Sequence, residues 1–446
     1  MPYKPLRKRL ANFLRYVNKV YGFFGTIKRM RDKRERTEVS AQTIFMSVFL
    51  CMILRFGSFR QLAFEAGRIR KFLPQVDKET FCANTVANGL ENIDIDILEQ
   101  ELTKVPRKLR RNKAYGTAAH PGSVGGLRIV SVDGTEHFRS DSIHCDECME
   151  VHVKTKDGIK TEYVHRIVIM QTVGVLHSSA VLTILGAEPI LPKDVKGGEE
   201  PAGHEGEGVA ARSPRTRGLI LKMIDLYGNE FFCVITTDAL YTNEPFVIFV
   251  DGPGKYLVSR VKDERTTLYQ EIEALSALVE PIYVNDREEQ IEYWTYEIPE
   301  LQGSSGWEVP IRGFKVIEKQ YRIVSGEQIY TKEETFHCMT TLPEEMADAD
   351  VVRQIVHARW GIENNGIKDL KDNWYMEHNF HHHPDATYAL LLILFMAYNL
   401  FYACVFRHMK SYRLYQLTMK MIAREMYASY LFWKWRMSWI WFDGKT

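Results

Sequence analysis

RIVSVDGTEHF, Arg128 to Phe138, runs through branched apolar residues to Val132 and then meets Asp133 and Gly134. Val and Ile at that density predict a buried strand, and the Asp-Gly pair predicts that the strand ends there. A carboxylate at the tip of a buried strand needs partners, because an unpaired charge is costly away from water. FFCVITTDALYTNEPF, Phe231 to Phe246, repeats the pattern: Phe231–Ile235 are apolar, and Asp238 follows two threonines before a turn. Adjacent strand ends are where α/β sheets place ligand sites. Two like charges there repel unless cations sit between them, and the hard cations that suit aspartate oxygens are Mg²⁺ and Mn²⁺.

A third carboxylate is expected on a helix. In ADVVRQIVHARWGIENNGIKDLKDNW, Val352, Ile355, Val356, Trp360 and Ile367 form a helical apolar stripe. Arg359 and Glu363 lie four residues apart, hence on one face, so that Glu363 can complete a metal site while Arg359 meets phosphate. Taken alone, the pair reads more readily as a surface salt bridge.

Around these stretches the chain divides into four regions. Residues 1–117 predict an all-helical, basic, DNA-binding domain, with helical spacing in SAQTIFMSVFLCMILRF and VANGLENIDIDILEQELTKV and basic runs at KRMRDKRER and PRKLRRNK. The loop AAHPGSVGG, Ala118–Gly126, closes it. Residues 127–280 mix strand runs (Leu127–Val132, His165–Leu176, Ser179–Leu185, and one from Phe231) with a helix at Gly218–Gly228, which predicts an α/β sheet with an antiparallel portion. Residues 281–342 are nearly pure strand, an inserted antiparallel β subdomain. Residues 347–446 return to helix and end in the Trp-rich LFWKWRMSWIWF.

Composition narrows the class of function. At 446 residues with 45% hydrophobic content the chain is long enough for two or three domains. Its net charge of +1 hides an asymmetry: Met1–Lys113 holds 24 Lys and Arg against 11 Asp and Glu, leaving 34 against 46 for the remainder. A basic segment on an acidic body predicts a module for polyanions, because phosphate neutralisation by Lys and Arg supplies most non-specific nucleic-acid affinity. Seven cysteines spread over the chain argue against a disulfide framework and for a reducing compartment. No signal-peptide apolar run opens the sequence. ATYALLLILFMAYNLFYACVF, Ala386–Phe406, approaches the length of a membrane span, but it carries Asn399 and scattered aromatics, which predicts a buried core helix and no membrane partner.

In combination these stretches resemble the DDE transposases of bacterial insertion sequences, cut-and-paste proteins with an RNase-H-like core and a β insertion before the last glutamate. The resemblance rests on VDGT (Val132–Thr135), TDALYTNEPF (Thr237–Phe246), HARWGIENNGIKDLKDNW (His357–Trp374) and EYVHRIVIMQTVGVLHSSAVLTILGAEPI (Glu162–Ile190), and it spans roughly Leu127–Arg407. It implies an RNase-H-like mixed sheet flanked by helices, with Asp133, Asp238 and Glu363 as the catalytic, metal-binding triad. The intervals are 238 − 133 = 105 and 363 − 238 = 125 residues, the second lengthened by the β insertion. Relatives often add Tyr, Arg and Lys around the last acid. Here Arg359 keeps its place, Val356 stands at the Tyr position and Leu370 at the Lys position, with Lys368 or Lys371 as the substitute.

The resemblance further implies two Mg²⁺ or Mn²⁺ ions that activate a water or a DNA 3′-OH and stabilise the leaving oxygen at phosphorus. It implies DNA partners, both transposon terminal inverted repeats and target DNA, a homodimer on DNA, and a bacterial cytoplasmic, nucleoid-associated location. Candidate DNA contacts are Arg359, Lys368, Lys371, Lys33, Arg34 and Arg36. Two other classes share features with this reading: a nuclease of the same fold without strand transfer, which would keep the triad, and an inactive DNA-binding relative, which would lack an acid. All three acids are present.

One motif stands apart. IHCDECMEVH offers Cys145 and Cys148 in Cys-x₂-Cys spacing, with His144 and His152 beside them as candidate ligands of a structural Zn²⁺ and His165 and His177 as further donors. The competing reading is a pair of reduced cysteines in a hairpin. The run His381–His383 with His378 precedes Pro384 in a loop and reads as a loop feature.

Overall fold

The computed structural model describes residues 9–35, 37–72, 80–112, 127–156, 158–173, 182–194, 208–301, 308–409 and 415–431. Arg36, His177, the loop Ala118–Gly126 and nearly all of the Trp-rich terminus lie outside the described residues. The chain forms two compact units, one of Met1–Ala114 with Asp369–Thr446 and one of Tyr115–Lys368.

Among its described residues the first unit is built of helices, joined by loops and one isolated bridge between Asp32 and Ile93. Ala41–Leu54 starts at Ser40, whose hydroxyl accepts from the Thr43 amide, and all but one of its 14 residues are buried. An all-apolar surface leaves such a helix stable only inside a core. Pro384–His408 is built alike: its 18-residue apolar window has mean hydropathy 2.2 and is 94% buried, packed against Ala41–Leu54, Ala83–Asn92 and Ile95–Leu102. It is long and apolar enough to span a membrane, yet protein covers it and Asn399 is fully buried within it. Arg9 on the first helix pairs with Glu425 on the last at 2.5 Å. The boundary expected near residue 117 is therefore incomplete. The basic N-terminal helices share a core with Pro384–His408, so residues 347–446 do not fall into one body, and residues 1–117 alone would leave that core half built.

The second unit is organised by one ten-stranded sheet. Its strands are β1 (Ile129–Ser140), β2 (Met149–Thr155), β3 (Gly158–Thr172), β4 (Ile184–Ile190), β5 (Val234–Thr237), β6 (Tyr256–Val261), β7 (Ile282–Asp286), β8 (Ile291–Ile298), β9 (Arg312–Val324) and β10 (Glu327–Thr340). They follow the order β2-β3-β1-β5-β6-β10-β9-β8-β7, and β4 pairs with β3 beside β2. β1, β5 and β6 are mutually parallel and the other pairings are antiparallel. The fold is thus a mixed α/β sheet flanked by helices. β7–β10 do not stand apart as an inserted subdomain, because β10 hydrogen-bonds to β6 and extends the same sheet. β2 and β6 carry no strong apolar run of their own and are held by their neighbours.

β1 differs instructively from its expected form. It does not stop at Asp133 but continues for seven residues, because β3 pairs with it as far as Ser140. What stops is the pairing with β5, whose register runs only from Ile129↔Val234 to Ser131↔Thr236. The Asp-Gly signal marks the point where one neighbour leaves while the strand continues.

Side chains alternate across the sheet with a period of two. Val130, Val132 and Ile235 face a core with the helix Gly208–Tyr227 and Glu244–Asp251. Ile129 and Val234 face the opposite core, with Val351, Val352, Ile355 and Val356 of the helix Ala349–Gly361. That helix is anchored by a buried charge cluster. Glu318 on β9 accepts from Arg353 Nη1 at 2.8 Å and pairs with His357 Nε2 at 2.7 Å, with both carboxylate partners on the helix. Burial raises the Glu318 carboxyl, but His357 and Arg353 outweigh it and hold it below the usual range.

A carboxylate held low contributes stability that is present above its ordinary pKa and is lost as pH falls through the lowered value. Glu318→Gln should therefore cost about 1–3 kcal/mol at neutral pH, since Arg353 keeps Asp350 at 3.1 Å but loses its buried carboxylate partner, and should flatten the acid limb of the unfolding profile. Thermal melts of wild type and variant from neutral pH down to about pH 3 check both. Equal melting temperatures at neutral pH would remove Glu318 from that role.

Candidate active site

Asp133, Asp238 and Glu363 belong to three elements that meet on one face of the sheet. The β1–β5 register couples residues 105 apart, as 234 − 129 shows, and 238 − 133 is the same interval. Asp133 and Asp238 each lie two residues beyond the last paired positions, Ser131 and Thr236, where the two strands part. Alternation then decides the face. Residues 129, 131 and 133 lie on the side of Ile129, and 234, 236 and 238 on the side of Val234, the core beneath Ala349–Gly361. Asp238 keeps extended geometry (φ −74°, ψ 165°), so the alternation carries through to it.

Glu363 follows directly from that helix. Beyond Gly361 the helix loosens into a π-helical segment, Ile362–Ile367, which packs against β1. Such wide turns are rare and frequently mark functional positions. Of the expected stripe, Val352, Ile355, Val356 and Ile367 are buried and Trp360 is half-buried. The close approach depends on Gly366: a Cβ there would lie 2.1 Å from Oε1 of Gln171, a fully buried residue on β3.

The acids are surrounded by cations. Arg359 Nη1 pairs with Glu363 Oε1 at 2.6 Å, with side-chain exposures of 2% for Arg359 and 43% for Glu363. This is not the surface salt bridge that spacing alone allowed, and the guanidinium lies within the protein with its Nε unpartnered among the described residues. Lys262 Nζ lies 2.9 Å from Asp238 Oδ1. The contact is ionic and lacks hydrogen-bond angles, so that buried oxygen has no directed donor. Burial raises Asp238, but Lys262, the Ala239 amide and the charge of Arg359 outweigh it and hold the carboxyl below its ordinary value. Arg260 on β6 stands over Trp360 at 5.3 Å and over Phe336 at 4.9 Å; burial lowers it most, the charge of Arg359 adds to that, and Glu334 opposes.

Lys262 and Arg260 were not among the sequence candidates. They sit in YLVSRVKDE, in which no acid or metal-ligand pattern marks them, and pairing of β6 with β5 brings them beside Asp238.

The remaining candidates are dispersed. Lys368 is exposed at the end of the second unit. In the first unit Lys371 pairs with Glu377 at 2.8 Å, Lys33 is exposed, and Arg34 is bound to Asp32 and to the Val39 carbonyl. His381 pairs with Glu91 at 2.6 Å. Of the cysteine motif, Cys145 and Cys148 converge on His165 of β3. His144 instead stacks on Tyr163, and His152 pairs with Thr161 Oγ1 at 3.2 Å.

The donor set at the acids fits a hard cation: three carboxylates on one face, one with an undirected buried oxygen. Residues 210–400 match the family model of the transposase DDE domain, a segment that contains Asp238 and Glu363 and begins after β1. The resemblance to DDE transposases is borne out over that segment. No curated protein matches the chain. Among solved structures, the cryo-EM structure of the piggyBac transposase synaptic complex with hairpin DNA is similar at 13% identity and a TM-score of 0.37, covering 96% of this chain and 80% of that one.

Gly366→Ala tests the close approach. In an open helix the change gains about 1 kcal/mol. Here it should lower the melting temperature, because the buried Gln171 must swing its carboxamide away from the new methyl. Gln171→Ala in the same chain should restore it. A stabilised single variant would show that the π segment does not press on β3.

Proposed function

We infer that this protein is a DNA transposase that cleaves transposon ends and joins their 3′-OH to target DNA, with Asp133, Asp238 and Glu363 as its catalytic triad. The observation that carries the reading is the shared face: the β1–β5 register and strand alternation direct two aspartates to the side where the π segment delivers the glutamate. The strand order β4-β3-β1-β5-β6, antiparallel on one side and parallel on the other, supports an RNase-H-like core.

Asp133, Asp238 and Glu363 would hold two Mg²⁺ or Mn²⁺ ions, which when bound supply Lewis-acid activation of the attacking and leaving oxygens of an in-line displacement. The chain's own groups prepare that binding. Arg359 and Lys262 keep Glu363 and Asp238 compensated before cations arrive, which limits the repulsion of clustered carboxylates. Lys262, 53% exposed, is placed to turn from Asp238 to a DNA phosphate. Arg359, buried under the acids, orients Glu363 and stabilises charge developing beside it.

Terminal inverted repeats and target DNA are the partners of this reading, with Lys33, Arg34, Arg36, Lys368 and Lys371 as further phosphate contacts. Two ends must be joined together, which suits a homodimer on DNA in a bacterial, nucleoid-associated setting.

Asp133→Asn, Asp238→Asn and Glu363→Gln should each leave folding and salt-sensitive DNA binding intact and reduce Mg²⁺-dependent cleavage by several orders of magnitude. Any two combined should cost little more than one, since the three act as a unit. The assay supplies duplexes of the DNA flanking the gene together with a target plasmid. Cleavage without joining would mark a nuclease; a variant that still cuts near the wild-type rate would remove that residue from the triad.

A further inference from the structure

Cys145 and Cys148 lie in the loop between β1 and β2, and His165 lies on β3 opposite Phe138 of β1. His165 Nε2 is 3.3 Å from Cys145 Sγ and 3.3 Å from Cys148 Sγ, and the two sulfurs are 3.8 Å apart. A disulfide would need about 2.05 Å. A tetrahedral zinc, with Zn–S about 2.3 Å and Zn–N about 2.0–2.1 Å, sets its ligands about 3.8 Å apart for S···S and about 3.5 Å for S···N. The trio therefore already stands close to the edges of that tetrahedron.

Local structure supports the arrangement. The Cys148 amide donates to the Cys145 carbonyl at 3.0 Å, folding Cys-x₂-Cys into a tight turn. The Cys145 amide lies 3.4 Å from Cys148 Sγ and donates to it, which fixes the sulfur inside the turn. Cys148 and His165 are 7% and 8% exposed. The imidazole is held by stacking on His137 at 5.9 Å and by Phe138 at 5.7 Å, so Nε2 stays directed at the sulfurs. Cys233, by contrast, spends its sulfur on the Arg128 backbone.

We propose that Cys145, Cys148 and His165 bind a zinc ion, its fourth corner taken by water or a further donor. The ion would fasten the loop Asp141–Cys148 to β3 at the far end of β1, the strand that carries Asp133. This site is distinct from the acids and stands whether or not the chain cuts DNA.

The full-length chain, produced in zinc-supplemented medium and purified without chelator, should hold one zinc per chain by elemental analysis. Cys145→Ser/Cys148→Ser and His165→Asn should each lose it at least tenfold, while His144→Asn and His152→Asn keep it. Wild-type chain without zinc, or a double-serine variant that retains it, overturns the proposal. Because the variants could fold poorly, the unaltered chain is also exchanged with Co²⁺. Thiolate-to-cobalt charge transfer in the near ultraviolet and intense tetrahedral d–d bands are expected; their absence overturns the proposal equally.

Discussion

Three backbone pairings between β1 and β5, from Ile129 with Val234 to Ser131 with Thr236, determine where the acidic residues of the second unit stand. A strand pairing has a discrete register, and a slip of one residue would send every side chain of β5 to the other face. Here the two faces bury different cores, so a slip would expose Val234 and Ile235 to the wrong neighbours. Hydrophobic burial thus enforces the register, and the register in turn brings Asp133 and Asp238 each two residues past its last pair. The acids inherit their geometry from apolar residues packed in two cores.

Electrostatics then sets what this geometry costs. Carboxylates gathered on one face repel each other, and the chain answers with Arg359 beneath Glu363 and Lys262 beside Asp238. The two cations differ in kind. Arg359 is almost fully buried and cannot leave without exposing a desolvated charge, whereas Lys262 is half exposed and can move. A site built this way carries its charge compensation within the fold, with one cation fixed and one free to move.

The helix that precedes Glu363 is positioned from the opposite end. Glu318 reaches up from β9 to Arg353 and His357, and β9 is tied through β10 to β6 and so to β5. The strands expected to form a separate subdomain are therefore part of the scaffold that aims the helix. Where the helix meets β1, Gly366 removes the side chain that would hold it off.

Much of this was legible in the sequence. Local patterns carried the helix Ala349–Gly361, its stripe, the core helix Pro384–His408 and the two strands that lead to aspartates, because apolar periodicity survives in one dimension. The two aspartates stood out for the same reason, each following an apolar run, whereas Glu363 was singled out by the family resemblance. What the sequence could not contain was pairing. Lys262 and Arg260 reach Asp238 only because β6 lies against β5, His165 rather than His144 or His152 faces the cysteines because β3 folds back on β1, and the N-terminal helices are completed by residues more than 250 positions away. Spacing along the chain decides which residues share a face of one element. Which elements share a core is settled by where the whole chain buries its apolar surface, and that is a property of the tertiary structure alone.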